Sequence, residues 1–136
     1  MPEFRICLDV DDTEKAVTFY TRVCGLKVGR RFDDKWVELT GGPCAIDLLE
    51  NRPGSHPTPD PAASRDYRRH WTPVHIDFPV SDIHEAIRRA LEAGAVLEEG
   101  PEDEPYGRLA QLSDPFGHGF CFLEFRGRGY DEILTS

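Results

Sequence analysis

Two stretches of this chain begin alike: FRICLDVDDTEKA from Phe4 and VHIDFPVSDIHEA from Val74. At a shift of 70 residues Val10 falls on Val80, Asp12 on Asp82, Ala16 on Ala86 and Arg5 on His75. Further on, a shift of 74 lays AIDLLE (45–50) over GFCFLE (119–124), pairing Leu49 with Leu123 and Glu50 with Glu124. A repeat of about half the chain is one supersecondary unit that cannot bury its own apolar face, so the two copies are expected to share a core.

Each copy reads strand, helix, strand, strand, strand. In the first, Phe4, Ile6, Leu8 and Val10 alternate with Arg5, Cys7 and Asp9, the period of a strand with two unlike faces. Asp12 then caps a helix in which Ala16, Val17, Tyr20, Val23 and Cys24 recur at helical spacing, and Gly25 stops it. Strands follow at Leu26 to Phe32, Trp36 to Thr40 and Cys44 to Glu50, separated by turn signals. The second copy restarts at Val74, where Ile76, Phe78 and Val80 alternate with His75 and Asp77. Asp82 caps a helix ended by Gly94, with strands at Ala95 to Glu99, Arg108 to Ser113 and Gly117 to Phe125. The turn Asp114-Pro115-Phe116-Gly117 joins the last two.

The expected organisation is a single domain over 1–136: a first module at 1–50, a linker at 51–71, a second module at 72–126 and a tail at 127–136. Prolines at 53, 57, 59 and 61 make the linker too broken for a tight connection. Its end, SRDYRRHW, reads as a solvated loop, or as a lid or subunit contact. The acidic run EEGPEDE (98–104) reads as a solvated loop, the alternative being attraction of a cationic ligand. The tail, with Tyr130, Ile133 and Leu134, is expected to pack on a neighbour or to close the binding cup.

Twenty-five acidic against sixteen basic residues give a formal charge of -9, which opposes non-specific attraction to nucleic acid or anionic lipid. No apolar run approaches the ~20 residues of a membrane helix, and the start has no signal-peptide layout. Cys7, Cys24, Cys44 and Cys121 are scattered, without CxxC spacing, as in reduced cytosolic proteins. The expectation is a cytoplasmic protein without nucleic-acid or membrane partners.

The two modules, the DPFG turn before an apolar strand ending in Glu, and the phrase EKAVTFYTRVCGLKVG together resemble the vicinal oxygen chelate superfamily, which includes glyoxalase I, fosfomycin- and bleomycin-resistance proteins and extradiol dioxygenases. The likeness runs from Phe4 to Phe125. It implies an α+β fold of two βαβββ modules whose curved mixed sheets form a shared cup, and, with exposed sheet edges that need cover, a homodimer. In metal-dependent relatives each module gives one ligand from its first strand and one from its last, usually histidine or glutamine with glutamates. Those places fall here on Arg5 and His75, and on Asp47 and Cys121. The fold also hosts isomerases, transferases, dioxygenases and drug-binding proteins, so function must come from the site.

Strand alternation puts Arg5, Cys7 and Asp9 on one face and His75 and Asp77 on its counterpart, joined by Asp47 and Cys121. Buried polar groups are costly unless paired or used, which argues for a ligand pocket lined by these seven residues. Arg5 is a fixed cation at a ligand position, which impairs a metal quartet. Asp47, His75 and Cys121 could still form a three-ligand site with an open position for zinc, nickel, iron or manganese. Alternatively Arg5 pairs with Asp47 or Asp9, His75 hydrogen-bonds Asp77 or a carbonyl, and Cys121 packs as an apolar residue. A third arrangement has Arg5 and His75 holding a carboxylate, phosphate or enolate oxygen. His75 is also a candidate general base, oriented by Asp77 or Asp47 with Arg5 stabilising an oxyanion, whereas Cys121 lies mid-strand among apolar neighbours that oppose a thiolate. His84 and His118 carry no assigned role.

The sequence therefore points to a protein that binds a small polar organic molecule, with no cofactor expected. The alternatives are a metal-dependent isomerase, lyase or ring-cleaving dioxygenase using Asp47, His75 and Cys121, and an interaction module whose cup its own side chains fill.

Overall fold

The computed structural model describes residues 3–135. Contacts divide the chain between Arg68 and Arg69 into two compact units, inside the stretch read as a linker. The first unit runs β1 (Ile6–Val10), α1 (Thr13–Cys24), β2 (Lys27–Arg31), β3 (Trp36–Thr40) and β4 (Ile46–Glu50). The second repeats it with β5 (Ile76–Pro79), α2 (Ile83–Glu92), β6 (Val96–Glu104), β7 (Gly107–Ser113) and β8 (Gly119–Phe125). Sheet order is β1-β4-β3-β2 in one and β5-β8-β7-β6 in the other. In both, the first strand pairs parallel with the last and the remaining pairs are antiparallel. The fold is α+β, two βαβββ modules, as the repeat requires. Among the described residues no helix is long and apolar enough to cross a membrane.

The apolar strand positions meet the helix of their own unit. Val10, Val37, Leu39 and Leu48 are fully buried with Ala16, Phe19 and Tyr20 of α1, and Leu112, Phe120 and Phe122 with Ile83, Ala86 and Ala90 of α2. Both helices start at the aspartate read from the sequence: Asp12 accepts from the Lys15 N–H at 3.0 Å and Asp82 from the Glu85 N–H at 3.1 Å. Gly25 ends α1 at φ 68°, a left-handed position.

The glutamates matched by the repeat hold the helices down. Glu50 Oε1, at the end of β4, accepts from the Thr13 N–H (2.9 Å) and the Thr13 hydroxyl (3.0 Å), and Glu124 Oε1, on β8, accepts from the Ile83 N–H (3.2 Å). Each carboxylate satisfies an orphan donor at a helix N-terminus and sits at the positive end of the helix dipole. Glu50→Ala is expected to cost about 1 kcal/mol in urea unfolding, whereas Glu99→Ala, on the exposed edge strand, should fall within about 0.5 kcal/mol of the parent.

Two expectations need correction. The opening strands are shorter than read: Phe4 (72% exposed) lies ahead of β1 and Val74 (81%) ahead of β5, because neither has a partner strand beside it. The run EEGPEDE is not a loop. It is the greater part of β6, an edge strand whose two register shifts absorb the extra residues while most acids face water, a composition that discourages edge-to-edge pairing. SRDYRRHW has no regular secondary structure, as read, and is anchored at three points: Arg65 Nε bonds Asp9 at 2.9 Å, the Tyr67 hydroxyl donates to the Asn51 carbonyl at 2.7 Å, and Arg69 pairs with Glu98 at 2.7 Å. The tail forms a short 3-10 helix, Gly129–Ile133, with the Tyr130 ring 4.8 Å from Phe125 and 5.0 Å from Tyr106, while Tyr130, Ile133 and Leu134 stay exposed.

Candidate functional site

In the first unit, register places Cys7 and Glu38 on either side of Asp47, and Asp9 and Trp36 on either side of Leu49, all on the sheet face opposite α1. Arg5 sits just before β1 and turns onto that face. Its Nε and Nη2 donate to the two Asp47 oxygens, both at 2.8 Å, and Nη2 reaches Glu38 Oε2 at 2.6 Å. Arg30 closes on Glu38 from β2, at 3.0 and 2.8 Å through its side chain and 3.2 Å through its backbone N–H. The Trp36 indole N–H donates to Asp47 Oδ1 at 3.1 Å. Two guanidinium groups and two carboxylates thus form a charge-balanced lattice over Asp47 and Glu38, which are only 2% and 6% exposed.

The charges set one another's titration. Hydrogen bonds first from Arg30 and then from Arg5 hold the Glu38 carboxyl far below its ordinary 4.5. The Arg5 fork does the same for Asp47, against burial that opposes it. Both acids are ionised at neutral pH, and each of their four oxygens accepts at least one hydrogen bond. Among the described residues no buried side-chain nitrogen or oxygen lacks a partner.

The counterpart face of the second unit is assembled differently. His75 Nε2 lies 3.2 Å from Asp77 Oδ1, and Asp77 is directly opposite Cys121 across the parallel pair. The aspartate and cysteine have exchanged strands relative to the first unit, where Cys7 faces Asp47. Candidate ligand atoms of His75, Asp77 and Cys121 all lie within 4.8 Å of one another. Burial, reinforced by the Asp77 charge, pushes the Cys121 thiol up to about 12, so it is a protonated thiol rather than a nucleophile. Next to the cluster, Glu98 is taken by Arg69 and by the Gln111 amide at 3.0 Å, and the Trp71 ring stands 6.2 Å from His75.

With the geometry in place, comparison with known proteins settles the family. A family model described as a glyoxalase-like domain matches residues 5–123. The chain belongs to that family. The glyoxalase-like assignment places it within the vicinal oxygen chelate superfamily. The anthracycline biosynthesis protein DnrV of Streptomyces peucetius is 44% identical over 63 residues, which is 46% of this chain and 22% of that protein. The chain matches less than half the length of its curated relatives. Among solved structures, the antibiotic-binding protein TnmS3 from Streptomyces sp. CB03234 superposes with TM-score 0.63 at 22% identity, covering 93% of this chain and 97% of its own. The fosfomycin resistance protein FosX of Listeria monocytogenes gives 0.72 at 18% identity, covering 98% of each chain. These two likenesses show the glyoxalase fold.

The glyoxalase-like lineage implies a divalent metal at the first- and last-strand places, and the residues present do not fit that quartet. One place holds the Arg5 cation, and the Asp47 carboxylate at another is bound by that same cation. Both Asp47 oxygens thus accept from Arg5 inside the first unit, and in the second unit the donors gathered with one another are His75, Asp77 and Cys121. Asp9 is likewise engaged, by Arg65 and the Asn51 amide. The sequence reading missed Glu38, Arg30 and Trp36 because it followed only first and last strands. The alternation of WVELT, with Val37 and Leu39 apolar, was the available signal that Trp36 and Glu38 share the polar face.

Proposed function

We propose that this glyoxalase-like chain is a binding protein for a small organic molecule and works without a tightly held metal. The observation that carries the reading is the Arg5 fork on Asp47 and Glu38, which ties up the two places in the first unit where metal-dependent relatives hold ligands in a neutral, internally satisfied lattice. A preformed polar face of this kind orients a ligand without supplying a Lewis acid or an activated nucleophile. TnmS3 is an antibiotic-binding protein, FosX a fosfomycin resistance protein and DnrV an anthracycline biosynthesis protein, which supports a natural product or drug as the class of molecule. In this reading the chain works as a homodimer that covers edges such as β1, β2 or β5, since the acidic β6 edge opposes pairing.

Metal analysis of the purified protein, paired with a thermal-shift screen of small organic molecules, tests it. The expected result is metal well below one equivalent per chain, and a rise in melting temperature with at least one uncharged or weakly polar compound. Near-stoichiometric zinc, nickel, iron or manganese that disappears in His75→Ala would overturn the metal-free reading.

A second reading rests on the His75, Asp77 and Cys121 cluster, whose ligand atoms lie within 4.8 Å of one another and which could hold zinc if the Cys121 thiol gave up its proton on binding. It makes the second unit alone a metal-assisted lyase or isomerase site. The same metal analysis decides between the two.

A further inference from the structure

Trp36 is exposed (41%) yet held in one orientation, a combination that a surface tryptophan in an ordinary strand does not need. Its indole N–H is fixed to Asp47, whose own position is fixed by the Arg5 fork. Phe32 packs against the ring at a centroid distance of 4.4 Å and a tilt of 40°, and the Arg30 guanidinium stands 5.1 Å from the centre of the Phe32 ring. Leu49, opposite Trp36 in the register, extends the apolar floor. The floor is thus a rigid aromatic surface, with its orientation already paid for by contacts inside the sheet.

The rim decides the chemistry of what would lie there. Arg5 and Arg30 are balanced by Asp47 and Glu38, so the floor carries little net charge and gains nothing from an anion or a cation. Each guanidinium still has a nitrogen, Nη1, that makes no hydrogen bond among the described residues. Those N–H groups border an aromatic floor and can donate to oxygen acceptors on the edge of a flat ring system. Resting on the metal-free binding reading above, we infer that the polar face of the first sheet is a stacking site for an uncharged, planar polycyclic aromatic molecule with carbonyl or phenolic oxygens at its edge, and that Trp36 is the residue it stacks on.

The test uses 1,8-dihydroxyanthraquinone as probe and the Trp71→Phe protein, in which Trp36 is the sole tryptophan. Titration should quench Trp36 emission saturably and shift the probe's visible band. Trp36→Leu should weaken binding by about tenfold, read from the probe's band, and Trp36→Phe should recover part of it. A hydroxylated decalin of similar size, which cannot stack, should leave the emission unchanged. The inference is overturned if the probe binds equally well to Trp36→Leu, or if Trp71→Phe shows no saturable quenching. Should Trp36→Leu fail to fold, the quenching curve and the Trp36→Phe affinity decide the question without it. The two failures are distinguishable: a thermal-shift hit on non-aromatic compounds with no quenching sinks the stacking site and keeps the binding function, whereas bound metal sinks the binding reading whatever the quenching.

Discussion

Arg5→Leu is expected to lower the melting temperature at pH 7 by about 10 °C, and Asp47→Leu added to the same chain is expected to return much of that loss. Without Arg5, Asp47 remains 2% exposed and keeps only the Trp36 indole as a donor, so a buried carboxylate is left without its counter-charge. Removing both members replaces the pair with apolar volume, a change that buried ion pairs commonly tolerate. A double-mutant cycle by thermal melts measures the coupling, and strictly additive losses would show that Arg5 and Asp47 do not act as a pair.

The same lattice sets an acid dependence. Glu38 and Asp47 have carboxyl groups depressed below their ordinary 4.5 and 3.8, so the unfolded chain binds more protons than the native one as pH falls through that range. Their stabilisation is complete above the ordinary values and is lost progressively as pH drops from about 4.5 towards the lower native values. In Arg5→Leu, Asp47 no longer has the cation that depresses it, and the melting-temperature gap from wild type should narrow between pH 5 and pH 3. A gap that stays constant over that interval would remove the lattice as its cause.

Gly107→Ala carries the other large expected effect, a loss of about 3 kcal/mol. Gly107 opens β7 at φ 149°, and a Cβ built there would come within 2.0 Å of the Glu124 carbonyl oxygen. The backbone of β8 would have to move, and with it Glu124, whose side chain holds the first turn of α2. Gly25→Ala is the control. Gly25 also has positive φ, at 68°, but nothing lies within 4 Å of the added methyl, so only the local conformational cost of about 1 kcal/mol remains. Comparable losses in urea unfolding for the two variants would mean that the close approach at Gly107 relaxes freely.

The helices and their caps were legible in the sequence because their causes are local. Asp12 and Asp82 bond amides three residues away, and Gly25 needs only its own φ. The β6 edge was misread for the opposite reason. An acidic, proline-containing run is a loop by composition, and only pairing with β7 through two register shifts makes it a strand. Glu50 and Glu124 were matched by the repeat but given no role, since their partners lie 37 and 41 residues away.

By itself the sequence determined the two-module α+β plan, the direction each strand face points, and the presence of a fixed cation where relatives hold a metal ligand. Periodicity and repeat carry the plan and the faces, because both depend on residues close in sequence or at a constant shift, whereas the ligand place at Arg5 is what the family resemblance implies. Only the tertiary structure decided what the cation does. The sequence left open whether Arg5 paired with Asp47, paired with Asp9 or faced a ligand, and the pairing follows from β4 lying parallel beside β1 with β3 next to it. That order brings Asp47 and Glu38 under one guanidinium and gives Asp9 to Arg65. The same order set Trp36 over Asp47, and in the second unit β8 lying parallel beside β5 gathered Asp77 with His75 and Cys121.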